Sequence, residues 1–131
     1  MDIVELFKVL SDLNRLRILN LLLREKLCVC ELQTILGMTQ SNTSRHLNKL
    51  KDVGIIEAEK SGQWMFYKIS ERFLEENDIL LEFLRQRFET EQPFCKDLET
   101  LRKYKSSFTC KDIRERKDVV KKLIYHKEGE R

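Results

Sequence analysis

Residues 39–69 read TQSNTSRHLNKLKDVGIIEAEKSGQWMFYKI, and this stretch decides the fold. Thr39 is a good N-cap, and the segment from about Gln40 to Val53 repeats its apolar residues at helical spacing. The predicted buried stripe of this helix consists of Thr43, Leu47 and Leu50. Gly54 ends the helix, because glycine readily adopts the left-handed conformation that follows many helices.

Two strands are predicted after Gly54, Ile55 to Lys60 and Trp64 to Ile69, joined by the short loop Ser61-Gly62-Gln63. After them, a long amphipathic helix runs from Ser70 to Phe88 or beyond. Its apolar side is formed by Phe73, Leu80, Leu81, Leu84 and Phe88. Pro93 interrupts this pattern, and one or two further helical pieces reach the charged end of the chain.

Three helices are predicted before Thr39. Ile3, Leu6, Phe7 and Leu10 mark the first, and Ser11 or Asp12 can cap the second, roughly Leu13 to Leu23. The third runs from about Cys28 to Leu36 and stops at Gly37. Helix, glycine turn, helix and hairpin in this order are typical of a winged helix-turn-helix. We therefore predict a mainly α fold with a small β-hairpin, in which residues 1–92 form a DNA-binding and dimerisation domain and residues 93–131 a C-terminal helical extension.

The side of the fourth helix opposite Leu47 and Leu50 carries short hydrogen-bonding and cationic side chains. Asn and Arg can pair with the edges of adenine and guanine, whereas Ser and Lys more often hold phosphates. An alternative interpretation of this polar face is an ordinary solvated helix in a small α+β domain. The glycine turn and the hairpin disfavour that interpretation. The predicted contacts with double-stranded DNA are Gln40, Ser41, Asn42, Ser44, Arg45, His46, Asn48 and Lys49 on the helix and Lys60 and Gln63 on the hairpin.

Composition and charge agree with a single small domain. The chain has 131 residues, of which 41% are hydrophobic and 36% charged, and no apolar run approaches the ~18 residues of a membrane span. Residues 100–131 carry eleven basic and five acidic side chains, whereas residues 71–99 carry four and nine. We expect a cytoplasmic protein without a membrane partner, in which the four cysteines are reduced thiols.

The stretch LSDLNRLRILNLLL, then CVCELQTILGMTQSNTSRHLNKLKDVGIIEAEKSGQWMFYKIS, resembles the ArsR family of metalloregulatory repressors. It spans about residues 9 to 70, and SRHL and LKDVGII match closely. Leu13 and Asn14 replace the usual proline and threonine or serine of the family. The resemblance implies a homodimeric repressor that leaves its operator when a metal or metalloid binds. It also implies pairing through Ile3–Leu10 and Phe73–Phe88, and we expect Leu81 and Leu84 in that interface.

Cys28 and Cys30, in LCVCEL, resemble the arsenic-binding stretch of the arsenic-responsive members. Soft thiolates favour As(III), Sb(III), Cd(II), Pb(II) or Hg(II). In an ideal helix, residues two apart differ by about 200° in direction, so we expect one ion to bind both thiols only if the first turn opens. A pair of small buried hydrophobic residues is the alternative interpretation.

Gln33 stands where the arsenic-responsive members that bind within this helix have a third cysteine. Cys95 and Cys110 are the remaining thiols, and either can complete a three-sulfur site, from the same subunit or its partner.

The predicted function is an As(III)- or Sb(III)-responsive repressor. A Cd(II) or Pb(II) sensor, for which a fourth thiolate is expected, and a thiol-redox or persulfide sensor of the same fold remain alternatives. A thiol oxidoreductase that contains a winged helix is a further alternative, which the missing active-site scaffold disfavours. The sequence has no phosphate-binding glycine loop, nucleophile elbow or acid–base pair, and we predict that the chain is not an enzyme.

Overall fold

A computed structural model describes residues 1–129, with side chains described through Tyr125. No helix in this part of the chain has the length and apolar character needed to cross a membrane. The elements are α1 (Ile3–Leu10), α2 (Leu13–Leu22), β1 (Leu27–Cys28), α3 (Val29–Leu36), α4 (Gln40–Asp52), β2 (Ile56–Ser61), β3 (Trp64–Ile69), α5 (Glu71–Glu76), α6 (Asp78–Thr90), α7 (Phe94–Ser107) and α8 (Cys110–Gly129).

The helix-turn-helix consists of α3, a turn at Gly37 and α4. Gly37 adopts a left-handed conformation with φ of 68°, and its N–H donates to the carbonyl of Gln33. Thr39 caps α4 by accepting a hydrogen bond from Asn42 N at 3.1 Å. Thr43, Leu47 and Leu50 are fully buried. The predicted cap, turn and buried stripe of this helix are confirmed.

The wing has three strands, because a short strand precedes α3. β3 lies in the centre and pairs with β2 on one side and β1 on the other, both antiparallel. Leu27 faces Tyr67, and Cys28 faces Phe66. The hairpin was predicted, but β1 was not. A strand of two residues shows no alternation of polar and apolar side chains, so its sequence contains no signal of period two.

The helix predicted from Ser70 to Phe88 is broken at Asn77. This residue has non-helical backbone angles, φ −134° and ψ 32°, and separates α5 from α6. Its side-chain N–H donates to the carbonyl of Phe73 at 3.2 Å, which satisfies a helix end locally. Phe73, Leu81 and Phe88 are nevertheless all buried. The apolar spacing continued across the break and therefore did not reveal it.

Residues beyond Pro93 form α7 and α8, and these helices add to the hydrophobic core of the preceding ones. Leu101 on α7 and Val120 on α8 belong to the same buried cluster as Leu19 on α2 and Leu32 on α3. A largely buried ion pair also joins the two parts, since Nε and one terminal nitrogen of the Arg17 guanidinium each donate to an oxygen of the Asp97 carboxylate at 2.8 Å. Residues 94–125 therefore pack on the winged domain.

An exposed apolar surface runs along α1 and α6. It includes Ile3, Val4 and Phe7 on α1 and Ile79 and Phe83 on α6. Ile3 and Leu6 on α1 line one cleft together with Phe73 on α5 and Asn77, so α1 lies next to α5 and to the residue that precedes α6. Leu81 was expected in the dimer interface, but it is only 4% exposed and packs in the core of the monomer. The residues available to a second copy are the ones that point outward, such as Phe83.

We expect Leu101→Ala to lower the free energy of unfolding of the chain by about 2–4 kcal/mol, because it removes a buried side chain from the shared core. Denaturant unfolding followed by circular dichroism should remain a single transition. Leu123→Ala is the matched control, since Leu123 is 56% exposed, and it should change stability by less than about 0.5 kcal/mol. A separate early transition in Leu101→Ala would mean that α7 and α8 unfold independently.

Candidate thiol site and nucleic-acid interface

One side of α4 is polar and open to solvent. Gln40, Ser41, Arg45, Asn48 and Lys49 are exposed, and Asn42 and Ser44 are half-buried. The guanidinium of Arg45 donates to the side-chain oxygen of Asn42 at 2.7 Å, so these two side chains are held together on the helix surface. This face has the donors and acceptors that a helix needs to contact base edges and phosphates in the major groove.

His46 does not belong to this exposed face, although it was predicted to contact DNA. Its side chain is 2% exposed and packs against the junction of α1 and α2. Its Nδ1 lies 3.3 Å from Arg15 and its Nε2 lies 3.4 Å from Arg45. Burial lowers the pKa of His46, and the adjacent arginines act in the same direction. His46 therefore orients Arg45 from within the protein.

The wing carries the two other predicted DNA contacts, Lys60 and Gln63, and both are exposed. The aromatic residues of β3 are half-buried, and cations lie over the rings of Trp64 and Phe66. The guanidinium of Arg114, on α8, lies 4.4 Å from the ring centroid of Trp64. Lys26 lies 5.7 Å from the ring centroid of Phe66. These two rings are therefore partly covered by cations, which disfavours a role as a stacking platform for bases.

The thiols of Cys28 and Cys30 are adjacent while α3 is intact. Cys28 precedes the helix as its N-cap and has extended backbone angles, φ −86° and ψ 168°. The two sulfur atoms lie 3.4 Å apart. The expectation that the first turn must open was therefore wrong. It assumed helical geometry for Cys28, which instead belongs to β1.

Cys110 completes the cluster from the start of α8. Its sulfur lies 3.2 Å from the sulfur of Cys28, and both residues are buried. Cys95 lies elsewhere, in a cleft with Arg24, Glu89 and Leu98. Of the two candidates for a third sulfur, the fold brings Cys110 to the predicted pair.

Glu31 and Tyr104 hold the cluster in place, and the sequence analysis overlooked both. One oxygen of the Glu31 carboxylate accepts from Cys28 N at 3.0 Å, and the other accepts from the Tyr104 hydroxyl at 2.5 Å. An acidic residue three positions after a helix N-cap is a recognised capping pattern, which could have pointed to Glu31. Nothing in the sequence pointed to Tyr104, because it reaches Glu31 from α7.

The three thiols differ in pKa. The hydrogen bond from Cys28 lowers the pKa of Cys30 to about 6. The same hydrogen bond raises the pKa of Cys28, and burial raises it further. Burial also raises the pKa of Cys110 to about 11. At neutral pH the site therefore contains one thiolate, Cys30, which accepts a hydrogen bond from the Cys28 thiol.

The sulfur of Cys28 is close enough to each of the other two thiols to share a thiophilic ion with it. Sulfur–ion bonds of about 2.3 Å, as for zinc, let two sulfurs on one ion lie up to about 4.6 Å apart. Cys28 is within this distance of both other thiols. The Glu31 carboxylate is within 4.8 Å of Cys28 and Cys110, but both of its oxygens already accept hydrogen bonds. Sulfur is the better donor for a soft ion, so the thiols are the candidate ligands, and Cys28 and Cys110 belong to a group whose ligand atoms lie within 4.8 Å of one another.

Helix α8 connects this cluster to the helix-turn-helix. It begins at Cys110 and packs along α3. At its other end, the Tyr125 hydroxyl donates to the carbonyl oxygens of Thr34, at 2.7 Å, and Ile35. Those carbonyls lie in the last turn of α3, immediately before Gly37. The same helix therefore contacts the thiol site, the wing through Arg114 and the turn before α4.

Comparisons with known proteins identify the relatives of this chain. The model for bacterial regulatory proteins of the arsR family matches residues 12–58. The arsenical resistance operon repressor of Bacillus subtilis is 42% identical over 79 residues, which cover 60% of this chain and 73% of that protein. The cadmium resistance transcriptional regulatory protein CadC of Listeria innocua is 44% identical over 64 residues, or 48% of this chain. The chain spans about half the length of that relative, 54%.

A solved structure shows the same fold. The homodimeric winged helix-turn-helix DNA-binding domain of a possible ArsR-family regulator from Mycobacterium bovis superposes with a TM-score of 0.56 and 26% identity. The superposition covers 69% of this chain and 84% of that domain. The fold thus defines a winged helix-turn-helix protein of the regulatory class. The chain belongs to the ArsR family, whose members are regulatory proteins, in agreement with the prediction that it is not an enzyme.

We expect alkylation of Cys30 by iodoacetamide to increase with pH around a midpoint near 6, because its pKa is about 6 and only the thiolate reacts. Tandem mass spectrometry of the peptide that contains both cysteines separates Cys30 from Cys28. Cys28→Ala removes the hydrogen-bond donor and should shift the midpoint towards the ordinary value of about 8.5. Cys28→Ser keeps a donor and should shift it less. Equal midpoints in the wild type and Cys28→Ala would contradict the assigned hydrogen bond.

Proposed function

We propose that this protein is a transcriptional repressor that binds operator DNA as a homodimer and releases it when As(III) or Sb(III) binds Cys28, Cys30 and Cys110. The observation that carries the proposal is the meeting of these three thiols between β1 and α8. The family membership and the similarity to named arsenical and cadmium resistance regulators support a metal-responsive repressor.

Three sulfur ligands favour As(III) or Sb(III) among the thiophilic ions. Cd(II) and Pb(II) sensors are expected to use a fourth thiolate. Cys95, the other thiol of the chain, lies in a cleft with Arg24 and Glu89 instead of with the cluster. The low pKa of Cys30 supplies a thiolate at neutral pH, so the first bond to an incoming ion does not require removal of a proton from buried Cys28. Bound to these sulfurs, the ion would link α8 covalently to the start of α3.

The route from the thiols to DNA runs through α8 and α3. Ligation changes the contacts of Cys110, which is the first residue of α8. Because Arg114 covers Trp64 and Tyr125 binds the end of α3, a small displacement of α8 alters both the wing and the turn before α4. The ion would stabilise one position of α8 and the operator another. Allosteric coupling requires such a difference in how each ligand interacts with the two states.

A homodimer is supported by the exposed apolar surface on α1 and α6 and by the homodimeric domain from Mycobacterium bovis. Apolar patches of this kind commonly mark protein interfaces. A second copy would also place two α4 helices on DNA, as a helix-turn-helix protein needs to read two half-sites.

A thiol-redox sensor is a second candidate, favoured by the Cys30 thiolate 3.4 Å from the Cys28 thiol. Cys30 would attack hydrogen peroxide, which breaks its O–O bond, forms a sulfenic acid and releases hydroxide. Condensation with the Cys28 thiol would then form a disulfide and release water. Peroxide should release the operator by this route without any metalloid, whereas As(III) should act under fully reducing conditions in the first proposal.

For the metalloid site, we expect reduced Cys110→Ser to require at least tenfold more As(III) than the wild type to release operator DNA. X-ray absorption should count two sulfur ligands on arsenic in this variant and three in the wild type. Cys95→Ser is the matched control, because Cys95 lies outside the cluster, and it should behave like the wild type. Titration with Cd(II) and Pb(II) in parallel identifies the preferred ion. If arsenic still had three sulfur ligands in Cys110→Ser, Cys110 would not be one of the ligands.

For the dimer, we expect Phe83→Glu to produce a folded monomer that has lost operator affinity. Phe83 is 54% exposed, so the charge does not enter the core and instead disrupts the apolar contact between copies. Sedimentation velocity measures the mass, and circular dichroism checks the fold. The control is Leu123→Glu on α8, which is equally exposed but outside this surface and should remain dimeric. If Phe83→Glu were still a dimer, the dimer interface would have to lie elsewhere on the protein.

A further inference from the structure

The side chain of Arg15, on α2, connects the end of α1 to His46 on α4. Its Nε donates to the carbonyl oxygen of Val9 at 2.6 Å, and its terminal nitrogen Nη1 lies 3.3 Å from Nδ1 of His46. The Val9 carbonyl is in the last turn of α1, where carbonyl oxygens have no partner within the helix. Arg15 is thus held in place by α1 while it contacts the imidazole.

The imidazole of His46 lies between two arginines. Nδ1 faces Arg15, and Nε2 lies 3.4 Å from the terminal nitrogen Nη2 of Arg45. The ring is neutral at neutral pH, because burial lowers the pKa of His46 and outweighs the opposing charge of Asp12. A neutral imidazole has one acceptor nitrogen and one N–H, whereas a guanidinium only donates. His46 can therefore accept a hydrogen bond from Arg15 or from Arg45, but not from both.

Of the two donors, Arg15 is the better placed. It is half-buried and held by Val9, whereas Arg45 is exposed and its Nη2 already donates to the side-chain oxygen of Asn42 at 2.7 Å. The carboxylate of Asp12 is 3.9 Å from Nδ1, which is beyond hydrogen-bond distance, and it accepts from Arg15 N at 3.0 Å instead. Nδ1 is consequently the acceptor, and Nε2 carries the proton.

We propose that Arg15 is a positioning residue for DNA recognition, because by occupying Nδ1 of His46 it prevents the imidazole from binding Arg45. This inference rests on the proposed DNA-binding function and extends it to a residue of α2, outside the helix-turn-helix and the wing. With the proton on Nε2, the ring contacts Arg45 without accepting from it, and Arg45 stays on the exposed face of α4. Without Arg15 the proton can move to Nδ1, and Nε2 would then hold Arg45 against the protein.

The first test is the tautomer of His46 in the full reduced chain, measured by long-range proton–nitrogen NMR correlation. In the wild type, Nδ1 should be unprotonated and Nε2 protonated. Arg15→Met removes the guanidinium and should move the proton towards Nδ1, whereas Arg15→Lys keeps a cationic donor and should change the ring less. His126→Gln assigns the signals, since the chain has two histidines. A wild-type ring with its proton on Nδ1 would overturn the proposal.

The second test measures base discrimination on a duplex that the wild type selects from a random library. Arg45→Ala identifies the position that Arg45 reads, where it should lose a preference of about 5- to 150-fold. Arg15→Met should lower the preference at that same position by at least about threefold. Lys8→Gln is the matched control, because it removes a charge from the cleft that Arg15 also lines, and it should keep the wild-type preference. Both variants should bind a random-sequence duplex equally well.

A double variant shows whether Arg15 acts through His46. In a His46→Leu background, whose fold is checked by circular dichroism, Arg15→Met should have no effect on base discrimination. An equal effect with and without the imidazole would contradict the inference, and the NMR test decides it even if His46→Leu does not fold. Weaker binding of Arg15→Met to all sequences, with its base preference intact, would make Arg15 a phosphate contact instead.

The Arg45→Ala variant separates this inference from the proposed function. If Arg45→Ala loses base discrimination while Arg15→Met does not, DNA recognition stands and the role of Arg15 is wrong. If Arg45→Ala keeps every base preference, Arg45 reads no base and the inference is overturned. If the wild-type chain selects no preferred duplex, the proposed function fails together with the inference.

Discussion

The buried carboxylate of Glu31 is the constraint on which the thiol site depends. It is 1% exposed, and its two oxygens accept hydrogen bonds from Cys28 N and the Tyr104 hydroxyl. Lys105 adds a cation at 3.8 Å. A buried charge is tolerated only when it is paired, and loss of one partner costs about 1–3 kcal/mol. This requirement fixes the start of α3 to α7, and α7 in turn positions α8 over β1.

Cys28 can approach both other thiols because it lies between two kinds of backbone structure. As the last residue of β1 it is extended and pairs with Phe66, and as the N-cap of α3 it stands next to the first helical turn. Cys30 is in that turn, and Cys110 approaches from α8. A fully helical Cys28 would have pointed away from Cys30. The strand and the cap therefore bring the thiols of Cys28 and Cys30 together while α3 stays intact.

The three thiols differ in pKa because of this same geometry. Cys28 is the central thiol, so it donates to Cys30 and remains protonated, while burial keeps the proton on Cys110. The pKa of Cys30 falls to about 6 because its thiolate accepts that hydrogen bond. Above pH 6 the cluster thus has one charged sulfur in a largely buried position. Two neutral thiols beside one thiolate are easier to bury than three charged sulfurs would be.

The sequence by itself determined the winged helix-turn-helix. The cap, the glycine turn and the buried stripe are local features, so the spacing of residues along the chain is enough to predict them. Thr39, Gly37 and Leu47 were each placed correctly. It also identified Cys28 and Cys30 as a pair. The tertiary structure decided which distant thiol lies beside Cys28. Cys110 and Cys95 have equivalent local sequences, and the choice between them depends on the path of α7 and α8.

Packing likewise decided which apolar and polar residues are accessible. Helical spacing put Leu81 on an apolar face, but it could not tell a face buried in the monomer from one left open to a second copy. It also grouped His46 with its polar neighbours, although the α1–α2 junction covers it. These outcomes depend on contacts between elements far apart in the chain. The spacing of residues along one helix contains no information about which element covers it.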